Sequence, residues 1–459
     1  MKPLIHYLRR DDVRCAAWIS VCFSLASGLY LSWLYHLLPL VGETAVDIWT
    51  MVAGYLAQAA GVGTAVWLLR REGPERWGWL FTVAVCLLLL ASGPALLSAS
   101  VPAVLAFGLL LNLCCGVCAG FYLLVPARQI ERSRRGRVFG CGYGTATVLI
   151  WLLSLSGAVD LRQHRESLLV YLLLAGGAIW LSRPLLSPIQ SEVPDKPGEE
   201  SKRKTRALAA FTVAVLLSLV KNLGFRFPSA DISHGVNLEL SRVFYAVGLI
   251  AAGFVTDRSR KTGAVCTVAA LVIPFVLLSF SGEPVPHFVF WSLDYLFYGF
   301  FSVYRVVLFL DLAEQSDRLL LAPLGLLAGR LGDALGTGLC ILLEPHRVSL
   351  VLLTAALFML TVFLFFRLFQ RIYEPETVRR RTEREVFDTF AMQHDLSSRE
   401  KEVLRLLLSE QPNAAIAETL CVSESTIKFH VHNLLQKTGA KSRKELVTNY
   451  QTLLYARNE

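Results

Sequence analysis

The sequence predicts an all-α polytopic membrane protein, a bundle of twelve spanning helices built six plus six, followed by a compact four-helix domain of the helix-turn-helix type. Three observations carry this expectation. The 459 residues are 54% hydrophobic and only 18% charged, with a mean hydropathy of +0.50, which is too apolar for an ordinary water-soluble enzyme. Long, nearly uncharged segments alternate with short connections that collect the Lys and Arg residues behind the net charge of +9. After Gln370 the composition turns charged, with Leu, Ile and Val at helical spacing.

A spanning helix needs about 20 mostly apolar residues. Segments of that kind cover 15–38, 45–69, 78–98, 101–125, 137–157, 167–187, 207–224, 238–256, 263–281, 286–310, 321–343 and 347–370. No small-residue cleavage site of the usual kind follows Ser24 to Gly28, so the first segment reads as a retained helix and not as a signal peptide. The longest polar interruption, 188–206, holds Pro194, Pro197, Gly198 and Lys202-Arg203-Lys204. It separates a first membrane half, 1–187, from a second, 207–370. A juxtamembrane linker, 371–395, then leads to the C-terminal domain, 396–459. Arg379-Arg380-Arg381 in that linker fixes topology and meets anionic membrane lipid.

Positive charge marks the cytoplasmic connections of a bundle. Lys2, Arg9, Arg10 and Arg14 precede the first span, Arg70, Arg71 and Arg76 follow the second, and Arg128 to Arg137 follow the fourth. These share one side, with the central linker and Arg258, Arg260 and Lys261, whereas connections such as 41–44 and 98–100 carry almost no charge. The expectation is a multi-pass protein of a bacterial inner membrane with both termini cytoplasmic. The connection after span ten is the weak point, because Asp311, Glu314 and Asp317 outnumber Arg318 there. Cys114, Cys115 and Cys118 include a C-x-x-C spacing, but they lie mid-span without partner His or a second pair. They read as small packing residues, and no metal or cofactor is expected.

The segment Gly253-Phe254-Val255-Thr256-Asp257-Arg258-Ser259-Arg260-Lys261, between spans eight and nine, resembles the loop signature of the major facilitator superfamily. A basic residue replaces that signature's second glycine, and the loop after span two, 70–77, keeps the charge but not the pattern. The resemblance implies a transporter-like bundle around a central cavity. Span five, with Gly136, Gly140, Gly142 and Gly144, and span eleven, with Gly329, Gly332, Gly336 and Gly338, place small residues at corresponding positions of a six-plus-six repeat.

In the tail, Ser397 or Ser398 can cap a helix that buries Val403, Leu404, Leu407 and Leu408. A second helix from Pro412-Asn413 carries Ile416, Ala417 and Leu420. After a tight turn at Val422-Ser423, a third helix, 424–437, points Ile427, Val431, Leu434 and Leu435 inward and Ser425, Lys428, Phe429, His432 and Gln436 outward. From Ser425 to Lys444 there are five Lys or Arg residues and no acid, as a surface facing DNA phosphate requires.

Leu396-Ser397-Ser398-Arg399-Glu400, then Asn413, Ile416-Ala417, Thr426-Ile427-Lys428, His430, Lys437 and Gly439, resemble the C-terminal domain of LuxR-type regulators over about 60 residues. The pattern departs at Glu410, where glycine is usual, and at Ala415, where an acid is usual. The resemblance implies that the third helix enters the major groove of double-stranded promoter DNA. Lys428, Phe429 and His432 then face bases, Thr426 and Lys437 lie near phosphate, and Ser425 joins them as a DNA-binding candidate on the outward face. RNA polymerase is an implied partner. His430 reads as packed within the domain. The stripe Leu446, Val447, Tyr450, Leu453 and Leu454 either covers the domain's own core or forms a homodimer contact.

Ionisable groups inside membrane spans are costly and mark functional sites by default. Lys221, Arg226, Asp231, His234 and Asp294, with Tyr298 one turn below Asp294, occupy the outer part of the second half, and Arg330 and Asp333 lie deeper. Lys221, Arg226, Asp294 and Tyr298 are the candidate site for an unidentified small-molecule ligand. No nucleotide-binding glycine loop or nucleophile elbow is present, so no enzyme is expected. Together these features imply a membrane-bound, ligand-sensing transcriptional regulator, or alternatively a secondary transporter with a DNA-binding regulatory tail.

Overall fold

The computed structural model describes residues 10–157, 161, 164–186, 200–229, 243–277, 284–315, 318–409 and 411–456. Within these the chain is helical throughout and divides into two compact units, Met1–Leu368 and Phe369–Glu459. The membrane unit runs through α1 (Arg10–Val41), α2 (Ala45–Arg71), α3 (Trp77–Leu97), α4 (Val101–Gln129), α5 (Arg135–Leu155), α6 (Ser167–Leu185) and α7 (Glu200–Ser229). It continues through α8 (Val243–Arg258), α9 (Arg260–Leu277), α10 (Pro284–Gln315), α11 (Leu324–Leu343) and the first part of α12 (Arg347–Gln393). Ten segments among the described residues are long and apolar enough to cross a membrane. The segments expected at 238–256 and 263–281 are helical at α8 and α9, each of which abuts residues outside the described set. Asp231, His234 and most of the central linker also fall outside it.

Large apolar side chains such as Leu90, Leu173, Trp180, Leu342 and Met359 are 68 to 76% exposed along these helices. That is the surface a bilayer covers, because lipid replaces the protein interior as the apolar solvent. Inward, Trp18 and Trp33 are fully buried, and their indole N–H groups donate to the carbonyls of Ala178 (3.0 Å) and Val104 (3.1 Å). Indoles buried in this way need such acceptors.

The two halves join through α5 against α8 and α2 against α11. The α5–α8 contact is close because it is glycine on glycine. A Cβ on Gly140 would sit 2.4 Å from the Leu249 carbonyl oxygen, and one on Gly253 would sit 2.5 Å from that of Gly136. In α11, Gly332 and Gly336 meet the backbone of α7 at Val215 and Leu219, while in α5 Gly142 meets α1 at Ala16. Helices five and eleven therefore use glycines to approach helices one and seven, as a six-plus-six repeat requires.

The second unit contains α13 (Ser398–Leu408), α14 (Asn413–Leu420), α15 (Glu424–Thr438) and α16 (Arg443–Ala456). Ser397 caps α13 in a capping box with Glu400, and Ser423 caps α15, accepting from the Thr426 amide at 3.2 Å. Gly439 ends α15 at φ +70°, a left-handed conformation that glycine adopts without strain. The core joins Leu404, Leu407, Ile416, Ile427, Leu434 and Leu446 to Val386, Phe387, Phe390 and Ala391 near the end of α12. Helix α12 thus supplies buried residues to both units, Phe365 and Leu368 to one and Phe387 and Phe390 to the other.

Candidate functional site

Helix α15 presents Ser425, Lys428, Phe429 and His432 on one exposed face, since positions three and four apart share a side of a helix. Ile427 and Leu434, fully buried, fix the opposite face in the core. Phe429 is 62% exposed, a large aromatic with no core to cover, and it lies edge-on to the partly buried His430. Lys428 pairs with Glu424 one turn before it at 3.0 Å, with both side chains at least half exposed. Such a surface pair is weak and releases the ammonium readily to a phosphate or a base edge. Thr426 is partly buried and tied to the cap of α15, where its hydroxyl and that of Ser423 are 2.7 Å apart.

Lys437 stands apart from that group. Its ammonium donates to the Glu400 carboxylate and to the Asp395 carbonyl, both at 2.8 Å, clamping the end of α15 to the start of α13. Burial alone would raise the Glu400 carboxyl, but the Lys437 ammonium and the Ser397 amide more than offset it, so Glu400 titrates below the ordinary glutamate range. In α16, Leu446 and Tyr450 are buried in the domain's own core. Leu453, Leu454 and Glu410 lie outside the residues whose side chains are described. Sequence reasoning missed Val386, Phe387, Phe390 and Ala391, which fell in the expected linker. Their i, i+1, i+4, i+5 spacing was the available signal.

In the membrane unit, the structure brings Lys221, Asp294 and Tyr298 together. The Lys221 ammonium lies 3.8 Å from Asp294 and 4.0 Å from the centre of the Tyr298 ring, a cation–π distance. The Arg226 side chain lies outside the described set, so the fourth member of that group is not placed. A cavity of about 340 Å³ opens between the halves. Its walls include Tyr30, Tyr55, Gln58, Tyr122, Tyr298 and Arg330. Tyr55 and Gln58 follow directly on a π-helical stretch, Ile48–Gly54, a widening of the helix that is frequent at functional positions.

A second charge cluster ties the loop segment around Asp257 to the first half. Asp257 accepts from the Gly136 and Arg137 amides, both at 2.8 Å, at the start of α5, and from the Arg260 guanidinium at 3.1 Å. A carboxylate at a helix N-terminus satisfies donors the helix cannot. Arg260 also donates to Asp311 at 2.8 Å, and Arg135 donates to Glu314 at 2.8 Å. Asp311 and Glu314, two of the acidic residues that made the connection after span ten an anomaly in the charge pattern, are therefore counter-charges of the basic segments. The loop after α2 holds a local pair, Arg76 to Glu72 at 2.7 Å.

The family model described as bacterial regulatory proteins, luxR family, matches residues 394–449. The chain is 40% identical over 67 residues to the nitrate/nitrite response regulator protein NarL of Escherichia coli, a match covering 15% of this chain and 28% of that protein. It is 40% identical over 52 residues to the spore germination protein GerE of Bacillus subtilis, covering 11% of this chain and 70% of that one. The chain thus spans well under two thirds of NarL. Among solved structures, the human organic anion transporter MFSD10 superposes with a TM-score of 0.58 at 13% identity, covering 78% of this chain and all of the transporter. The nucleoside transporter NupG superposes with a TM-score of 0.53 at 14% identity and the same coverage. The C-terminal domain is a LuxR-family helix-turn-helix domain, and the larger unit has the multi-pass fold of major-facilitator-type transporters.

Proposed function

We propose that this chain, a LuxR-family DNA-binding domain joined to a transporter fold, is a one-component transcriptional regulator that senses a small molecule in the membrane and binds promoter DNA through α15. The observation that carries the reading is the exposed row Ser425, Lys428, Phe429 and His432 on a helix whose other face is locked into the domain core. Lys428 and His432 read base edges, Phe429 offers apolar contact to a thymine methyl, and Thr426 and the Ser423 cap approach phosphate. Lys437 serves α15 chiefly by seating it against α13.

For this to work, both termini face the cytoplasm of a bacterial cell whose inner membrane holds the bundle, as the positive connections favour. RNA polymerase is then a partner at the promoter. A second copy would meet the partly exposed Val447 of α16, since Leu446 and Tyr450 are already buried. Ligand acts by binding two conformations of the membrane unit unequally, and α12, which contributes to both cores, is the covalent route between them.

The reading is tested by genome-wide occupancy of the full-length protein followed by Lys428→Ala. The variant should lose about 1–3 kcal/mol at the best site and relax its sequence preference there, and unchanged promoter binding by a folded variant would reject the face. The second reading, a transporter with a regulatory tail, draws on the cavity between the two halves. Net uptake of a labelled solute by proteoliposomes favours it, and binding without uptake favours the sensor.

A further inference from the structure

Among the described residues that line the central cavity, Arg330 is the one charged side chain, set in a wall of tyrosines. Its guanidinium sits 4.6 Å from the centre of the Tyr55 ring in the opposite half of the bundle and 3.6 Å from Asp333 on its own helix. Its buried Nε–H has no hydrogen-bond acceptor, and neither has that of Arg305 nearby. Arg305 spends one arm on the Ser218 hydroxyl at 2.7 Å and stacks over Phe301. The described interior charges of α7, α10 and α11 near the cavity are Lys221, Arg305 and Arg330 against Asp294 and Asp333. Asp333 is shared electrostatically among all three cations. Among the described residues these cations outnumber the carboxylates by one, in a medium where an uncompensated ion is costly.

The rest of the wall sets the shape of what would supply that charge. Tyr30 stacks on Tyr55 at 6.0 Å on the side of the first half, and Tyr245 stacks on Tyr298 at 4.9 Å on the side of the second. Two pairs of aromatic faces border a space of about 340 Å³, at the small end of ligand pockets. A flat ring fits between such faces, and a planar carboxylate can meet a planar guanidinium through two parallel hydrogen bonds.

We propose that the cavity takes a small ring-bearing monoanion, its carboxylate on Arg330 and its ring among the tyrosines. This rests on the reading of the membrane unit as a ligand-binding unit. The bound carboxylate competes with the Tyr55 ring for the guanidinium. Because Tyr55 belongs to the first half and Arg330 to the second, binding loosens one contact between the halves and so changes their relative stability with the ligand's charge.

The test uses full-length protein in lipid nanodiscs with three probes of one shape, 2-naphthoate, 2-naphthamide and 2-naphthylmethylamine, read by quenching of tryptophan fluorescence and by the thermal unfolding midpoint. The anion should bind about tenfold to a hundredfold more tightly than the amide, the range a charge-assisted hydrogen bond provides, and the amine should bind worst. Arg330→Gln should abolish that preference, and Arg330→Lys, which keeps the charge if the glutamine variant does not fold, should retain part of it. Equal affinity for the three probes, binding of none, or a preference that survives in a folded Arg330→Gln protein would overturn the proposal. Transcription in response to some other molecule would leave the sensor reading standing while this ligand class fell. Anion-selective binding without any change in promoter occupancy would retain the ligand class and remove the sensor reading.

Discussion

The membrane unit holds two buried charge clusters built in opposite ways. Around Asp257 and Asp311, the carboxylates meet backbone amides and guanidinium groups at 2.8 to 3.3 Å, and the cluster ties the starts of α5 and α9 to the end of α10. Around Asp294, the ion pair to Lys221 is 3.8 Å long, and neither carboxylate oxygen accepts a hydrogen bond. A saturated buried cluster holds one arrangement, because removing any member strands the others. An under-bonded one is closer in energy to its alternatives. The comparison teaches that the first cluster fastens the bundle, whereas the Asp294 carboxylate, held by fewer hydrogen bonds, costs less to rearrange.

The largest expected effect therefore comes from breaking the saturated cluster. Asp257→Ala leaves the α5 amides and Arg260 without their acceptor and should cost about 3–5 kcal/mol. The check is the fraction of full-length protein that stays monodisperse in detergent and its thermal midpoint against wild type. A midpoint within error of wild type would show that the cluster does not fasten the halves.

Next in size is the core of the C-terminal unit. Phe390 is 2% exposed among Val386, Tyr450 and Leu404, so Phe390→Ala should cost about 3 kcal/mol. Chemical denaturation of full-length protein followed by a probe in the tail reads it. A loss below about 1 kcal/mol, the usual limit for a surface site, would mean that α12 merely lies beside the domain.

These two cases mark what sequence could and could not yield. The spans were legible because hydropathy is a local property, and the α13 cap was legible to within one residue, Ser397 or Ser398, of which the fold uses Ser397. The partners of Asp311 and Glu314 were not, since Arg260 and Arg135 lie 51 and 179 residues away along the chain. The charge pattern thus left as an anomaly what tertiary pairing resolves. Lys437 shows the same limit in the tail. Its position in the motif suggested phosphate, and only the fold brings Glu400 and the Asp395 carbonyl within its reach. Asp294 and Lys221 came out together because a buried charge announces itself in an apolar run.

A smaller effect is expected at that Lys437 clamp. The Lys437 side chain is 38% exposed, so water screens the pair and Lys437→Ala should cost on the order of 1 kcal/mol of folding stability. Its pH dependence has a fixed sign. The folded Glu400 carboxyl titrates below its unfolded value. The pair's contribution is therefore complete above about pH 4.3, the ordinary glutamate value, and fades as pH falls through the depressed folded value. Denaturation midpoints of wild type and Lys437→Ala should differ at pH 7 and converge at low pH, and a constant difference would remove Glu400 from the account.

The central claim, that the membrane unit governs the DNA reader, is tested most directly by promoter occupancy in cells carrying full-length protein with Asp294→Asn or Lys221→Met, compared across growth conditions with wild type. The account predicts occupancy of the same promoters by all three proteins at equal expression, with the response to conditions altered in both variants. Occupancy that follows conditions identically in wild type and both variants would contradict it, and would leave the bundle as an anchor for its DNA-binding tail.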